Sequence, residues 1–176
     1  GTTIFVEVGD SIQDAIDSAE HGWTIELAYG LHYGQDLYFN SGSITLRGAV
    51  NSYGAAASIV TPLGYGRVFN LEYVDDDTVI ENIVITGGNA NSGGGMYVME
   101  GSPTLNNCVF DGNWAYRGGG IYVEWGRPTL NNCVFNGNIG SDNGGGMYVS
   151  ESDPTLDSCV FDGNSAYRGG GMYVNE

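Results

Sequence analysis

Short hydrophobic runs that alternate with polar residues recur through the second half of the chain, separated by glycine, asparagine, serine and aspartate. The runs are MYV or IYV, PTL and CVF, and triple glycines begin at residues 93, 118, 144 and 169, at intervals of 25, 26 and 25. A hydrophobic period of two predicts β-strands. A repeat of this length predicts a solenoid in which each copy forms one turn.

Three short strands in each copy indicate a parallel β-helix. Leucine-rich repeats would need a ladder of leucines and asparagines that this sequence lacks, and two-helix repeats would not tolerate so many glycines. Successive turns rise by about 4.8 Å, so equivalent residues should form columns. We predict inward columns at Met96/Ile121/Met147/Met172, Val98/Val123/Val149/Val174, Leu105/Leu130/Leu156, Cys108/Cys133/Cys159 and Phe110/Phe135/Phe161, and outward columns at Tyr97/Tyr122/Tyr148/Tyr173, Thr104/Thr129/Thr155 and Val109/Val134/Val160.

The repeat also locates corners and a loop. Residues 106–107, 131–132 and 157–158 (NN, NN and DS) predict tight corners, because asparagine tolerates a left-handed backbone and stacked amides can bond along a column. One copy has an extra residue, and it falls within residues 139–143, which predicts a loop there.

The first half of the chain is less regular. Residues 1–22 are expected to form an N-terminal cap, in which Asp10 or Ser11 begins a short helix that buries Ile12, Ala15, Ile16 and Ala19. Residues 23–90 are expected to form irregular coils with strands in WTIEL, SITLRGA, ASIVTP and RVFNLEY, and residues 91–176 form the regular repeats. Together these segments predict one all-β domain of about six turns, with one short capping helix.

Several of these stretches resemble known families. SIQDAID, WTIELAYGLHYG, SITLRGA and TVIENIVITGG resemble the N-terminal part of right-handed, pectate-lyase-like β-helix proteins. The pairs Phe110–Asn113, Phe135–Asn138 and Phe161–Asn164, each followed by glycines, resemble the repeats of chlamydial polymorphic membrane proteins and related bacterial surface proteins, with Gly in place of that family's Ala. The resemblance implies a right-handed β-helix, a secreted or cell-surface location in a bacterium or archaeon, and a fragment of a longer protein.

The charge of the chain narrows the classes of partner. The net charge is −16, with 21 acidic residues against five arginines and no lysine. Such a surface repels nucleic-acid phosphates and anionic lipids, and no apolar run is long enough for membrane insertion. Neutral sugars and cations remain compatible with it.

The outward tyrosine column is the leading candidate for a binding site, because a flat aromatic strip could stack on sugar rings. The equivalent strand and loop line the substrate groove in the family that the chain resembles. The alternative is that the tyrosines only support one another across strands. The candidate ligand-binding residues are Tyr97, Tyr122, Tyr148 and Tyr173 in the column and Trp114, Tyr116, Arg117, Trp125, Tyr167 and Arg168 beside it.

No residue is assigned a catalytic role. Arg117 and Arg168 should lie two turns apart with Asp142 and Asn143 between them, and Glu72 and Glu124 are also two turns apart, so no compact catalytic group is expected. His21 and His32 are expected to make surface or capping bonds. The only cofactor considered is Ca²⁺, at Asp75, Asp76 and Asp77, and a solvated turn explains these three residues equally well.

These observations predict a non-catalytic extracellular module that is adhesive, contacts carbohydrate or acts as a spacer, with a glycan or a host or cell-surface molecule as partner. The alternative is part of a polysaccharide lyase or glycoside hydrolase whose catalytic residues lie outside this chain. The cysteine column is expected to fill the core as free thiols, although the spacing would permit one disulfide. The last turn should leave apolar residues uncovered, which predicts a homodimer through the C-terminal coil.

Overall fold

Short parallel β-strands wind into a continuous stack of coils in this computed structural model, which describes residues 1–39 and 43–176. Residues 40–42, inside the segment predicted to form irregular coils, lie outside the described residues. The helix α1 is Ile12–Ser18. The strands of the first half are β1 Thr3–Val6, β2 Thr24–Leu27, β3 Gly30–Tyr33, β4 Thr45–Gly48, β5 Ser58–Thr61, β6 Phe69–Glu72, β7 Val79–Glu81, β8 Ile83–Thr86 and β9 Asn89–Ser92.

The second half of the chain repeats one set of strands. They are β10 Met96–Met99, β11 Thr104–Asn106, β12 Val109–Asp111, β13 Trp114–Arg117, β14 Ile121–Glu124, β15 Thr129–Asn131, β16 Val134–Asn136, β17 Ile139–Asn143, β18 Met147–Ser150, β19 Thr155–Asp157, β20 Val160–Asp162, β21 Ser165–Arg168 and β22 Met172–Asn175.

In residues 1–39 and 43–176, four parallel sheets form the walls of the stack. The seven-stranded sheet has the order β1-β2-β4-β7-β11-β15-β19, and the six-stranded sheet has the order β20-β16-β12-β8-β5-β3. The five-stranded sheet has the order β22-β18-β14-β10-β6, and the four-stranded sheet has the order β21-β17-β13-β9. The predicted parallel β-helix is therefore confirmed, and its predicted columns match the strand registers.

Three details of the predicted architecture are wrong. The stack has seven coils where about six were expected, because Thr3–Val6 pairs with β2 as a strand of the first coil. The regular coils have four strands where three were expected, since WAYR and its equivalents are strands. The predicted loop at residues 139–143 is strand β17, which accommodates the extra residue as an irregularity in register between Gly140 and Asn143.

The corners follow from backbone conformation. Asn107, Asn132 and Ser158 have φ values of 52°, 53° and 54°, the left-handed corner predicted for these positions. The Asn131 side-chain amide donates to Asn106 Oδ1 at 2.9 Å, so stacked amides do bond between coils. At the corner between the four- and five-stranded sheets, Gly118 has a φ of +64°, and a Cβ on Gly119 would lie 2.5 Å from the Ile139 carbonyl oxygen. The triple glycines therefore let successive coils approach closely.

A ladder of asparagines crosses the interior beside the phenylalanine column. Asn138 is fully buried, and its amide donates to the Phe110 carbonyl at 2.8 Å and to Asn164 Oδ1 at 2.9 Å. Its own Oδ1 accepts from the Asn113 backbone N–H at 3.0 Å. These bonds satisfy polar groups that burial would otherwise leave without partners.

The helix α1 covers the first coils. The Ser11 side chain caps it by accepting from the Asp14 N–H at 3.1 Å, as one of the two predicted caps. Ile12, Ala15 and Ile16 are buried against the core, and Ala19 packs beside them. The predicted capping helix is confirmed.

Candidate functional site

The tyrosine column lies on the outer face of the five-stranded sheet, with Tyr97, Tyr122, Tyr148 and Tyr173 in register. Neighbouring rings are stacked, with centroids 5.3, 4.9 and 5.4 Å apart along the column. Tyr122 and Tyr148 are only 7% and 4% exposed. The expected flat, solvent-facing strip is therefore wrong for these two residues, since each ring face is covered by the next ring.

Charged side chains contact two tyrosines of the column, Tyr97 and Tyr148. The guanidinium carbon of Arg67 lies 4.8 Å from the centre of the Tyr97 ring, and that of Arg117 lies 5.5 Å from the centre of Tyr148. The Tyr97 hydroxyl donates to Glu124 Oε2 at 2.9 Å. Burial and then this bond raise the pKa of Tyr97 above its ordinary value. The contacts of the column favour the alternative reading, in which the tyrosines support the sheet.

The neighbouring four-stranded sheet presents exposed aromatic side chains. We define the aromatic face as Trp114, Tyr116, Ile139 and Tyr167, which point outward from β13, β17 and β21 and are all exposed. Between them, Ala115 points inward and is buried, as strand alternation requires. Three predicted binding residues, Trp114, Tyr116 and Tyr167, are therefore brought together on one surface.

A cleft of about 340 Å³ lies at one end of the aromatic face. Tyr65 and Trp114 are its aromatic side chains, 84% and 39% exposed respectively. The remaining lining is polar or small, and the full set is Asp36, Tyr65, Gly66, Arg67, Asn89, Ala90, Asn91 and Trp114. The cleft thus offers two aromatic rings and two amides to a ligand the size of a sugar unit.

Backbone and ionic contacts hold the cleft in shape. Gly66 and Asn89 exchange two backbone hydrogen bonds, of 2.9 and 2.8 Å, which fix the Tyr65 loop against the first strand of the four-stranded sheet. The Asp36 N–H donates to the Arg67 carbonyl at 2.9 Å, and the Arg67 Nε lies 3.2 Å from Asp36 Oδ1. The site is therefore built by four segments that are distant in sequence: Asp36, residues 65–67, residues 89–91 and Trp114.

Arg117 connects the aromatic face with the tyrosine column. Arg117 Nε lies 3.2 Å from Asp142 Oδ2, and this bond, more than any other cause, raises the pKa of Arg117. Its guanidinium lies 5.6 Å from the centre of the Tyr116 ring as well as near Tyr148. Arg168 lies 5.7 Å from the centre of Tyr167 in the same way.

Trp125 stands apart from the other predicted binding residues. It follows β14 in a left-handed conformation, with a φ of 51°, and is exposed at the far end of that strand. Trp114, by contrast, begins the preceding strand β13. The structure therefore separates Trp125 from the aromatic face.

The two pairs of charged side chains considered for catalysis, Glu72 with Glu124 and Arg117 with Arg168, each span two coils. Glu72 and Glu124 are both in register with Met99, which lies between them, and Asn143 lies between Arg117 and Arg168. These positions are those expected from the repeat. Two coils separate the members of each pair by about 9–10 Å.

The acidic run at residues 75–77 belongs to a turn. Asp75 accepts from Ser43 Oγ at 2.8 Å and from Thr78 Oγ1 at 3.2 Å. Within residues 1–39 and 43–176, no group of three or more His, Cys, Asp or Glu side chains is arranged to hold a metal ion. Calcium binding at Asp75, Asp76 and Asp77 therefore stays a prediction, with one of its three carboxylates already engaged.

The two histidines differ from one another. His21 is exposed, and its Nδ1 accepts from the Ser43 N–H at 3.3 Å, a capping bond of the expected kind. His32 is only 1% exposed, so the expectation that it makes a surface bond is wrong. It alternates inward in β3, and its Nε2 lies 2.8 Å from the Ala28 carbonyl oxygen.

The three cysteines form an inward column of free thiols. Cys108 and Cys133 are fully buried, and Cys133 Sγ lies 3.6 Å from the Leu105 carbonyl oxygen. The adjoining Cys133 thiol and burial raise the pKa of Cys108. Such thiols pack as small apolar groups.

The cleft includes residues that the sequence did not single out: Asp36, Tyr65, Arg67, Asn89 and Asn91. Most of them lie in the irregular coils, where no repeat aligns them with the aromatic residues of later coils. One signal was available, a tyrosine between two glycines in LGYGR, because glycines with positive φ favour an exposed loop tip.

The family model of the right handed beta helix region matches residues 70–176. Among solved structures, pectate lyase Pel9A is similar at a TM-score of 0.64 and 17% identity, covering 90% of this chain and 47% of the lyase. A pectin methylesterase in complex with a hexasaccharide is similar at a TM-score of 0.52 and 13% identity, covering 92% of this chain and 67% of the esterase. The chain thus spans about half the length of the pectate lyase. No curated protein sequence matches it.

In the part of the chain that the structure describes, no helix is long and apolar enough to cross a membrane.

Proposed function

The chain belongs to the right-handed β-helix family, and from this premise we propose that it is a non-catalytic, glycan-contacting module of a secreted or cell-surface protein. The observation that carries the proposal is the aromatic face with its cleft, where Trp114, Tyr116 and Tyr167 are exposed on a regular sheet and Tyr65 faces them from a loop. The proposed role is adhesive.

Exposed aromatic side chains suit a sugar ligand for an electrostatic reason. The face of an aromatic ring carries negative potential, which attracts the C–H groups of a sugar ring, and amides beside it can bond hydroxyl groups. The cleft combines both features through Tyr65, Trp114, Asn89 and Asn91. Contiguous exposed apolar surface that is rimmed by polar residues is typical of an interaction site.

The shared fold guides the choice of ligands to test. The two solved structures are named for pectate and pectin, and the esterase structure contains a hexasaccharide. We propose that plant-wall polysaccharides are the first ligands to test. We also propose that the protein acts outside the cell, in a bacterium or archaeon.

Affinity electrophoresis in gels containing a panel of neutral and acidic polysaccharides tests the proposal. We expect at least one polysaccharide to retard the wild type, and Trp114→Ala and Tyr65→Ala each to weaken binding by about tenfold. Trp125→Ala and Tyr53→Ala are matched controls, because both remove an exposed aromatic ring outside the cleft and the aromatic face. No retardation by any polysaccharide, or equal loss in the controls, would contradict the proposal.

A second candidate is favoured by the coverage of the lyase. Because the chain spans about half of it, we propose as the alternative that the chain is part of a polysaccharide lyase or glycoside hydrolase whose catalytic residues lie outside residues 1–176. The parent protein would then release unsaturated or reducing sugar ends from a polysaccharide that binds this cleft. Binding without product release by the parent protein favours the adhesive role.

The last coil supports one further proposal, a homodimer. Leu156, Phe161 and Met172 are only partly buried there, and the strands of this coil pair on one side only. A second copy could cover this apolar section end to end, against the repulsion of two acidic chains. Sedimentation over the micromolar range should show a dimer that Phe161→Asp dissociates, and a monomer throughout would reject it.

A further inference from the structure

We infer that the cleft takes an uncharged sugar unit, so that the glycan ligand of this chain is neutral or carries its carboxyl groups as esters. This inference rests on the proposed glycan-contacting function and names the class of ligand for that site. It separates the chain from a protein built to hold the free carboxylates of an acidic polysaccharide.

The cation of the cleft is already neutralised. Arg67 is the one cationic side chain among the residues that line the cleft, all of which are described. Its Nε faces Asp36 Oδ1 at 3.2 Å, and its Nη1 donates to Asn70 Oδ1 at 3.3 Å. A guanidinium that is paired with a carboxylate has little attraction left for a second one.

The flat face of Arg67 is also occupied. Its guanidinium carbon lies 4.8 Å from the centre of the Tyr97 ring, and the side chain is only 22% exposed. A side-on bidentate bond to a sugar carboxylate, which uses the Nε edge of the guanidinium, would require Arg67 to leave Asp36. Arg67 therefore acts as a brace for the cleft wall.

The rest of the lining suits hydroxyl groups. Asn89 and Asn91 carry amides, which can both donate and accept, as sugar hydroxyls do. The exposed side chain of Asp36 has oxygens that can accept a bond from a sugar hydroxyl, whereas a sugar carboxylate has no hydrogen to donate to them. The net charge of −16 adds repulsion of any polyanion at low salt.

A matched pair of polymers tests the inference, namely polygalacturonate and its methyl-esterified form, which share one backbone and differ in charge. In affinity electrophoresis at low salt, we expect the wild type to bind the ester form more tightly. Asp36→Asn would release the Arg67 charge and should raise affinity for polygalacturonate by about fivefold. Asp153→Asn is the control, because it changes the net charge equally at the remote Arg127–Asp153 pair.

The outcomes separate this inference from the proposed function. Wild-type binding to polygalacturonate that equals or exceeds binding to the ester overturns the inference and leaves the proposed function standing. If neither form binds, the tightest ligand of the wider panel decides: a neutral one that depends on Trp114 supports the inference, and an acidic one overturns it. A panel with no ligand overturns both. An equal gain in Asp36→Asn and Asp153→Asn also overturns the inference, because the effect would then be one of overall charge.

Discussion

Residues 110–123 and 161–174 differ at only two positions, yet they have different environments. In the earlier stretch Phe110 and Val123 are fully buried, whereas Phe161 is partly buried and Val174 is 52% exposed. The same contrast holds for Cys133 and Cys159. The difference lies in the neighbours, because β13 and β14 pair with strands on both sides and β21 and β22 pair on one.

The comparison shows which contacts stabilise each coil. In a solenoid, stability is the sum of each repeat's own contacts and its interfaces with the adjacent repeats. A residue in the last coil keeps the contacts within its own repeat but has an adjacent repeat on one side only. In the monomer, below the concentration at which the proposed dimer forms, substitutions at equivalent positions of the two coils therefore measure the contribution of a covering neighbour.

The phenylalanine column should show the largest difference. Phe135 stacks between Phe110 and Phe161, with centroids 4.9 and 4.5 Å away, and is fully buried. We expect Phe135→Ala to lower the free energy of unfolding by about 3–5 kcal/mol, because it leaves a cavity with coils on both sides. Phe161→Ala should cost about 1–2 kcal/mol, since this ring is partly exposed already. Urea unfolding followed by circular dichroism measures both, and equal costs would refute the role of the neighbour.

The asparagine ladder should show the next largest difference. Asn138 and Asn164 make equivalent bonds, each donating at 2.8 Å to the carbonyl of the phenylalanine one coil earlier. Asn138→Ala should lower stability by about 3 kcal/mol, because the Phe110 carbonyl and the Asn113 N–H lose buried partners.

Asn164→Ala provides the matched control, with an expected cost of about 1 kcal/mol, because Asn164 is partly exposed in the last coil and water can enter where its side chain is removed. Asn138→Asp should be at least as damaging as Asn138→Ala, since it places a carboxylate in the core and removes the donor. If the two alanine variants unfold at the same urea concentration, the ladder does not depend on burial.

The regular coils were predictable because one physical rule repeats in them. Period-two alternation assigned Val123, Phe135 and Met147 to the interior, and glycine or asparagine marked the corners. The fourth strand escaped prediction because WAYR and IGSDN share little hydrophobic pattern with each other. Backbone pairing with adjacent coils, more than the pattern of side chains, makes β17 a strand.

The candidate site was predictable only in part. Trp114, Tyr116 and Tyr167 were found because they lie just before the triple glycines, and the structure places them on one face. The cleft was not predictable, since Asp36, Tyr65 and Asn89 meet through winding of irregular coils. Alternation correctly pointed the tyrosine column outward but could not show that stacking and Arg117 would bury Tyr148.

The smallest difference should be between two cysteines, Cys133 and Cys159, in how readily local opening of their coils exposes the thiol. Cys133 is fully buried between coils and Cys159 is partly exposed in the last one. We expect iodoacetamide to modify Cys159 about tenfold faster than Cys133 under native conditions, because separation of the last coil needs less free energy than exposure of a middle coil. Burial raises the pKa of Cys159. The thiolate is the form that reacts, so the rate of Cys159 modification should still increase at a pH above the ordinary pKa of a thiol. Intact mass and peptide mapping identify the site at each time point.

After unfolding, all three thiols should react, and a chain that retains two unmodified cysteines would contain a disulfide. Equal native rates at Cys133 and Cys159 would mean that the coils open together, and the last coil would then be held as firmly as the middle ones.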